Sequence, residues 1–378
     1  MLLTSIALAA LMSPAASPAA APAVAAARGD HGKIAWFEGS FEAALAKAKA
    51  ENKLVFIDFW TTWCGWCKRL DKDTFSNETV AAEMKDILCL SIDAESETGA
   101  PLAKRFEVHG YPALILLAPD GTPEDSIGGY LPPDKFKQEI QRVRAGQGTV
   151  SGLRKRVAAD PSSLDARFEL ASKLESLGDR QGQAAQLAEI KKLDPQGQSL
   201  PMRRIALQEV REKINAGFQK DQSVDTAPML AFLAEEKHGV LLFEGWNSMG
   251  QMNAFLAQRA QQTGNDADVA KYQGEFRKSL RNAWKYVPAD QVSPFGNSLA
   301  WSYYEARALL SPEDKAFALE VAERAQAAAK DDTSILDTYA CCLSMNGKKD
   351  EAIRQVRRCI ELEPDKQQWK DRLAELEG

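Results

Sequence analysis

The sequence of 378 residues has little of what several classes of protein require. Its six cysteines are too sparse for a disulfide scaffold in a chain of this length. A formal net charge of −6, with no basic stripe, gives no sign of a nucleic-acid surface. No G-x-G-x-x-G stretch follows a predicted strand, so we expect no nucleotide or other cofactor.

Long apolar runs are also scarce, and the one notable run lies at the N-terminus. Residues 2–12 are mostly apolar, and a stretch rich in alanine and proline follows to Ala27. This pattern predicts a signal peptide over residues 1–27 and a periplasmic or extracellular protein, although no Lys or Arg precedes the apolar run. An uncleaved anchor or a misplaced start is the alternative. The run is shorter than the ~20 residues that span a bilayer, and no later run reaches that length, so we expect no transmembrane segment once the signal is removed.

The most informative cysteines are Cys64 and Cys67, in the stretch Trp-Cys-Gly-Trp-Cys-Lys over residues 63–68. They follow an apolar run over residues 54–60 that predicts a buried strand. A cysteine placed where a strand leads into a helix meets the unpaired N–H groups and the positive end of the helix dipole. This position lowers the thiol pKa, and the thiolate is the form that attacks disulfides.

Strand and helix signals alternate from residue 33 to residue 145. We predict a short first strand over residues 33–38, a helix capped by Ser40, a central strand over 54–60 and another over 87–92. A hairpin over 113–117 and 126–129 and a closing helix over 135–144 follow. This order predicts an α/β domain with a central mixed sheet flanked by helices.

The sequence from residue 150 to 378 reads as helix after helix. Residues 333–364 fit the 34-residue tetratricopeptide pattern, residues 164–195 fit it loosely, and 299–331 form a further helix pair. Residues 200–298 are helical but irregular. Because one helix pair cannot bury its apolar face alone, we expect an all-α helical-repeat domain, tetratricopeptide-like, over 150–378.

Residues 59–68, together with Gly110-Tyr111-Pro112, resemble the thioredoxin superfamily. Within it, residues 67–80 are most similar to the C-terminal periplasmic domain of bacterial transmembrane thiol–disulfide interchange proteins. The resemblance covers residues 33–145 and implies an α/β thioredoxin-like domain there.

The resemblance also implies roles for individual residues. Cys64 and Cys67 would form the redox-active disulfide, with Cys64 as the attacking thiol and Cys67 as the resolving thiol. Asp58 corresponds to the family's buried acid, whose raised pKa would let it accept the proton of the resolving thiol. Pro112 corresponds to the family's cis proline, and beside it Tyr111 would offer its backbone to an extended substrate strand.

Trp63 and Trp66 are candidate substrate contacts, with packing favoured for Trp63 and exposure for Trp66. A static disulfide or half of a zinc site is the structural alternative for the cysteine pair. We expect no metal, because no second C-x-x-C or His pair is nearby. Cys89 stands at or next to the place of a lysine that many thioredoxins pair with the buried acid. A buried, inert thiol is favoured over a third redox thiol there.

Three further cysteines lie on the predicted hairpin over 333–364. Cys359 is expected to pack as a hydrophobe, and Cys341 or Cys342 could bridge to it if their Cα atoms come within about 7 Å.

These features predict an exported thiol–disulfide oxidoreductase that exchanges disulfides with protein substrates, its helical domain binding partners. Protein thiols and disulfides would be the substrates, and another protein would donate or accept electrons. Reduction, oxidation and isomerisation all remain open, because the residues between the cysteines tune the potential. A redox-inactive interaction scaffold and a peroxidase-type thiol enzyme are the alternatives.

Overall fold

The computed structural model describes residues 32–221 and 224–378, so the predicted signal peptide lies outside the described residues. The chain divides between Gln196 and Gly197 into two compact units. Among the helices of these ranges, none combines the length and the apolar character that a membrane crossing requires.

The first unit contains a four-stranded mixed sheet. Its strands are β1 (Val55–Trp60), β2 (Leu88–Asp93), β3 (Ala113–Leu117) and β4 (Pro123–Gly128). Their order is β2-β1-β3-β4, with β1 parallel to β2 and the other neighbours antiparallel. Every residue of the central strand β1 is buried, as expected for a strand that is covered on both faces.

The predicted first strand over 33–38 is reduced to one isolated bridge. Trp36 pairs with Cys89, and the Phe37 N–H donates to the Cys89 carbonyl oxygen at 2.8 Å. The Lys33 N–H donates instead to the carbonyl of Phe75, outside the sheet. Because the backbone of this segment is shared between two partners, a continuous ladder does not form, and the prediction of a strand is wrong in its extent.

Helices cover both faces of the sheet. They are α1 (Phe41–Glu51), α2 (Gly65–Leu70), α3 (Glu78–Met84), α4 (Gly99–Arg105) and α5 (Pro133–Arg144). The Ser40 hydroxyl accepts from the Ala43 N–H at 3.1 Å and so caps α1, as predicted. One apolar core contains Phe56, and the opposite face buries Ile57, its neighbour on β1.

The first unit continues beyond α5 through three more helices. These are α6 (Val150–Ala159), α7 (Leu164–Ser176) and α8 (Arg180–Leu193). Asp125 on β4 is fully buried, and its carboxylate lies 2.8 Å from Arg142 on α5 and 2.6 Å from Lys173 on α7. Glu124, also buried, accepts from the Ser151 N–H at 3.1 Å. A buried carboxylate needs such partners, so these contacts fasten α6 and α7 to the edge of the sheet.

The second unit is helical throughout its described residues. Its helices are α9 (Leu200–Asp221), α10 (Ala227–Glu235), α11 (Gly239–Gln262), α12 (Asp266–Trp284), α13 (Val292–Glu305), α14 (Pro312–Ala328), α15 (Thr333–Met345), α16 (Lys349–Leu362) and α17 (Gln367–Glu377). The pair α15 and α16 has 13 and 14 residues, whereas α11 and α12 have 24 and 19. The irregular stretch anticipated over residues 200–298 therefore mixes helices longer than those of the hairpin with the 9-residue α10.

The hairpin of α15 and α16 buries the positions that the repeat pattern marks as apolar. Ala340 and Leu343 pack with Ala352 and Val356 in one cluster. Cys359 lies in the neighbouring cluster and has no exposed surface, in agreement with the expectation that it packs as a hydrophobe.

Candidate functional site

The turn between β1 and α2 holds the cysteine pair. Cys64 is the residue that caps α2, and its Sγ accepts the backbone N–H of Cys67 at 3.0 Å. Cys64 and Cys67 form a disulfide, with their Cα atoms 5.3 Å apart. A sulfur held at a helix N-terminus by a backbone N–H is stabilised as a thiolate when the bond is reduced.

The two cysteines differ in their exposure to solvent. Cys64 is 4% exposed, whereas Cys67 has no exposed surface. Both pack in a small cluster with Trp60 at the end of β1 and with Tyr111. Of the two cysteines, only Cys64 therefore retains exposed surface.

Asp58 lies in the middle of β1 and is fully buried. In the sheet it stands opposite Ser91 on β2 and Leu114 on β3. The strand that carries Asp58 leads directly into the turn with Cys64, so the sheet places this acid beneath the cysteine-bearing end of the domain.

The Tyr111–Pro112 peptide bond is cis. It immediately precedes β3, whose first residue Ala113 pairs with Phe59 on β1. Because β1 and β3 are neighbours, this pairing brings the Tyr111–Pro112 segment to the same end of the sheet as Cys64. The Tyr111 ring lies against the ring of Trp63 in an edge-to-face contact at 5.8 Å.

Two exposed indoles flank the disulfide. Trp63 is 66% exposed and Trp66 is 55% exposed. Packing was favoured for Trp63, but its indole is largely in solvent, held by Tyr111 and by a 2.9 Å hydrogen bond that its Nε1–H donates to Glu95. Tryptophan is enriched among the residues that contribute most to protein–protein contacts.

The indole of Trp66 is held by a group of residues that sequence reasoning missed. The ring of Tyr130 lies 5.4 Å from it, and the guanidinium of Arg69 lies 5.5 Å from the Trp66 ring and 5.0 Å from the Tyr130 ring. Asp73 accepts from the Arg69 Nε–H at 3.1 Å and from the Tyr130 hydroxyl at 3.0 Å. We call Trp66, Arg69, Asp73 and Tyr130 the Trp66 cluster.

A π-helical turn, Asp71–Phe75, follows α2 and contains Asp73. Such turns are often found at functional sites. The hydrogen bond from Arg69, followed by that from Tyr130, holds the pKa of Asp73 below its usual range. The sequence signal for this cluster was the spacing along one helix face, three residues from Trp66 to Arg69 and four from Arg69 to Asp73. Tyr130 is remote in sequence and had no such signal.

The remaining four cysteines are free and buried: Cys89, Cys341, Cys342 and Cys359. Burial raises the pKa of each of these thiols to about 12. The bridge considered between α15 and α16 is therefore not formed, and Cys89 has the character of a buried, inert thiol.

Comparison with known proteins identifies the sheet and its first five helices. A family described as a thioredoxin-like domain matches residues 41–144, which is the span from the first residue of α1 to the last residue of α5. Thioredoxin of Staphylococcus aureus is 33% identical over 98 residues, covering 25% of this chain and 86% of that protein.

Interchange proteins are also similar to this region. The thiol:disulfide interchange protein DsbD of Pseudomonas fluorescens is 30% identical over 107 residues, which are 27% of this chain and 18% of that protein. This chain thus spans less than a fifth of the interchange protein's length. The crystal structure of the reduced DsbD C-terminal domain of Neisseria meningitidis is 25% identical, with a TM-score of 0.24 over 27% of this chain and 91% of that one.

The matched family runs from α1 to α5, and the similarity to thioredoxin extends over most of that protein's length. Through this region, the chain belongs to the thioredoxin family of thiol–disulfide oxidoreductases.

Proposed function

We propose that this chain is an exported enzyme that exchanges disulfides with protein substrates through Cys64 and Cys67. One observation carries the proposal: the Cys64 sulfur caps α2 and accepts the Cys67 N–H at 3.0 Å. That geometry favours a thiolate on the sulfur that is also the more accessible of the two. A static bridge needs neither feature.

The proposed exchange has two steps. In the reduced enzyme, the Cys64 thiolate attacks a substrate disulfide, forms a mixed disulfide and releases the first substrate thiolate. The Cys67 thiolate then attacks the Cys64 sulfur, which forms the Cys64–Cys67 disulfide and releases the second substrate thiolate. Two electrons pass from enzyme to substrate, and the reverse sequence oxidises a substrate dithiol.

Asp58 is proposed to accept the proton of Cys67 as that thiol attacks. Its burial in β1, beneath the turn that carries the cysteines, supports this role. A carboxylate at this place can take up the proton and release it again.

Substrates would dock along Tyr111 and Pro112. The position of this segment beside the disulfide supports the assignment, because its backbone can pair with an extended substrate chain. Trp63 and Trp66 are proposed to contact the substrate on the two sides of the disulfide. Their exposure supports a contact role, and their neighbours hold both rings in place before a substrate arrives.

The helical part of the chain is proposed to bind partners or substrates and so raise their concentration near the dithiol. We assign residues 33–145 to the thioredoxin-like domain and residues 150–378 to a tetratricopeptide-like domain. The buried apolar positions of α15 and α16 support the repeat assignment. Another exported protein would donate or accept the electrons, and the apolar stretch over residues 2–12 supports export.

The deciding experiment is the reduction potential of the full chain in glutathione or dithiothreitol buffers. A value near about −270 mV would class the enzyme with reducing thioredoxins, and one near about −120 mV with strong oxidants. The double variant Cys64→Ser/Cys67→Ser is the control and should show no transition. A wild-type chain that does not cycle would leave the interaction scaffold as the function.

A further inference from the structure

The second unit contains an open groove that the proposed redox chemistry does not use. It lies on α9, α10 and α11 and has a volume of about 650 Å³. This volume falls within the range of about 300–1,000 Å³ that is typical of ligand sites. Its apolar lining is formed by Ile214, Phe218, Met229, Phe243, Met252 and Phe255.

The groove is built by a close approach of two helices. At Gly245 on α11, an added Cβ would lie 2.7 Å from the end of the Leu233 side chain on α10, so a larger residue would require that side chain to shift. The approach places Met229 on the floor. At the other side, the rings of Phe218 and Phe255 meet edge-to-face at 5.4 Å, and Phe255 remains 41% exposed.

Carboxamide side chains border the apolar floor. Asn215 on α9 faces the groove, as do Asn247 and Gln251 on α11, one helical turn apart. None of the three has a side-chain hydrogen bond to another residue in the described parts of the chain. A carboxamide both donates and accepts hydrogen bonds, which matches the paired N–H and C=O groups of a polypeptide backbone. A purely apolar ligand would leave these groups unmatched.

One end of the groove is charged, with Arg211 and Glu244 in its lining. Glu244 accepts from Arg204 at 3.0 Å, and its other oxygen lies 3.9 Å from Arg211. Arg211 also donates to the Ser248 hydroxyl at 3.0 Å and keeps 45% of its side chain exposed. Because Arg204, outside the lining, is the nearer partner of Glu244, the half-exposed Arg211 guanidinium can also pair with an acidic group of a ligand.

We infer that this groove binds an extended, apolar peptide segment with an acidic residue near one end, supplied by a partner or client protein. The groove runs along α11 from Glu244 to Phe255, a rise of ~16 Å at ~1.5 Å per residue. That length fits about five extended residues at ~3.3 Å each. The inference rests on the proposed function in one respect, that protein clients are the source of the segment.

Binding can be measured without any redox step, on the oxidised full chain. The probe is a fluorescein-labelled decapeptide of leucine, phenylalanine, serine and glycine with one glutamate, and its counterpart carries lysine in place of glutamate. Fluorescence anisotropy should show saturable binding of the glutamate peptide and at least tenfold weaker binding of the lysine peptide. No saturable binding of the glutamate peptide, or equal binding of both, would overturn the inference.

Variants locate the site. Phe255→Asp and Arg211→Glu should each weaken binding of the glutamate peptide at least tenfold, since one removes an apolar contact and the other reverses the charge at the basic end. The matched controls are Tyr286→Asp, a ring that is 40% exposed outside the groove, and Arg354→Glu, an exposed arginine on α16. Both should bind as the wild type does, and equal losses in variants and controls would contradict the inference.

Decanoate tests the other plausible occupant, a single-chain amphiphile. If decanoate displaces the bound peptide only at the highest decanoate concentrations, it binds the groove more weakly than the peptide does, which supports a peptide site. Tight decanoate binding with no peptide binding would assign the groove to a lipid instead. Peptide binding and decanoate competition do not depend on Cys64 or Cys67. A negative result in either would therefore leave the proposed disulfide exchange and its test by reduction potential unaffected.

Discussion

The turn before α2 and the hairpin of α15 and α16 both contain cysteines, but they place the sulfur atoms in opposite environments. At the turn, the Cys64 sulfur receives a backbone N–H that α2 leaves without an intrahelical partner. In the hairpin, Cys341 and Cys342 lie inside a helix, and Cys359 lies inside the next one. Burial raises the pKa of these thiols to about 12.

The comparison shows that the place of a cysteine in its helix sets its chemistry. A thiolate at a helix N-terminus gains hydrogen bonds and the favourable end of the dipole. A thiolate in a packed helix interior gains neither and loses its hydration. The hairpin uses sulfur as a small apolar side chain, whereas the turn places the Cys64 sulfur at a helix N-terminus.

The largest expected effect comes from replacing the exchanging sulfurs. Cys64→Ser should abolish turnover of a disulfide-bonded protein substrate, because no thiolate remains to attack it. Cys67→Ser should also stop turnover but should trap a mixed disulfide at Cys64, visible on a non-reducing gel. The matched control, Cys342→Ala in the hairpin, should keep full turnover. A mixed disulfide trapped by Cys64→Ser would reverse the assigned roles.

Alkylation sharpens the contrast between the two places. In the reduced native protein at pH 8, iodoacetamide should label Cys64 rapidly, whereas Cys67, which has no exposed surface, should react much more slowly. The other four cysteines should react roughly 10³-fold more slowly, because a thiol pKa of about 12 instead of 9.0 leaves so little thiolate. Intact mass should show one rapid label in the native protein and six labels after denaturation. Rapid labelling of Cys89 would restore the hypothesis of a third redox thiol.

The effect of burial on an ionisable group of the second unit can also be tested at a carboxylate, that of Glu236. Glu236 is buried, which acts to raise its pKa, but the backbone N–H of His238, the Arg203 guanidinium and the His238 ring together lower it to about 2. A depressed pKa stabilises the folded state above the ordinary value of 4.5 and ceases to do so as the pH falls toward 2. At ~1.4 kcal/mol per pH unit by which the pKa is lowered, we expect this to contribute at most about 3 kcal/mol to the free energy of unfolding.

Glu236→Gln should therefore have a lower urea midpoint of unfolding than the wild type at pH 6. At pH 3 the difference between the two midpoints should be smaller. Glu361→Gln, in an exposed pair with Arg358, is the control and should change the midpoint little at either pH. Equal effects of the Glu236 variant at both pH values would show that its charge is not what stabilises the fold.

The smallest expected effect concerns the Trp66 cluster. Tyr130→Leu removes the ring beside Trp66 and should lower kcat/KM for a protein substrate about threefold to fivefold, because the indole loses its fixed orientation. Tyr130→Phe keeps the ring and removes only the hydrogen bond to Asp73, so it should recover most of that loss. The reduction potential and the rate with a small disulfide should not change. A changed potential would assign Tyr130 to the sulfur chemistry instead.

Much of the first unit could be predicted because its signals are local. The apolar run that became β1, the capping Ser40 and the cysteine pair at the start of α2 all depend on neighbouring residues. The segment 33–38 was misjudged because its backbone pairs with Phe75 as well as Cys89, and a strand pattern does not show which partner the backbone will take.

The site residues that were missed meet through the fold. Tyr130 follows β4 and reaches Trp66 only after the sheet is assembled, and Glu95 reaches Trp63 in the same way. In the second unit, the groove is lined by residues of three separate helices, α9, α10 and α11. A helical pattern predicts each helix, but it does not predict which faces of distant helices will meet.

By itself, the sequence determined the order of strands and helices, the dithiol chemistry of Cys64 and Cys67 and the helical character of the second unit. These follow from side-chain periodicity and from cysteine next to a helix start, which act over a few residues. The tertiary structure alone decided which cysteine is accessible, which residues orient the two indoles and where a groove opens. Those properties depend on contacts between segments far apart in the chain, whose geometry is set by packing and burial rather than by any local pattern.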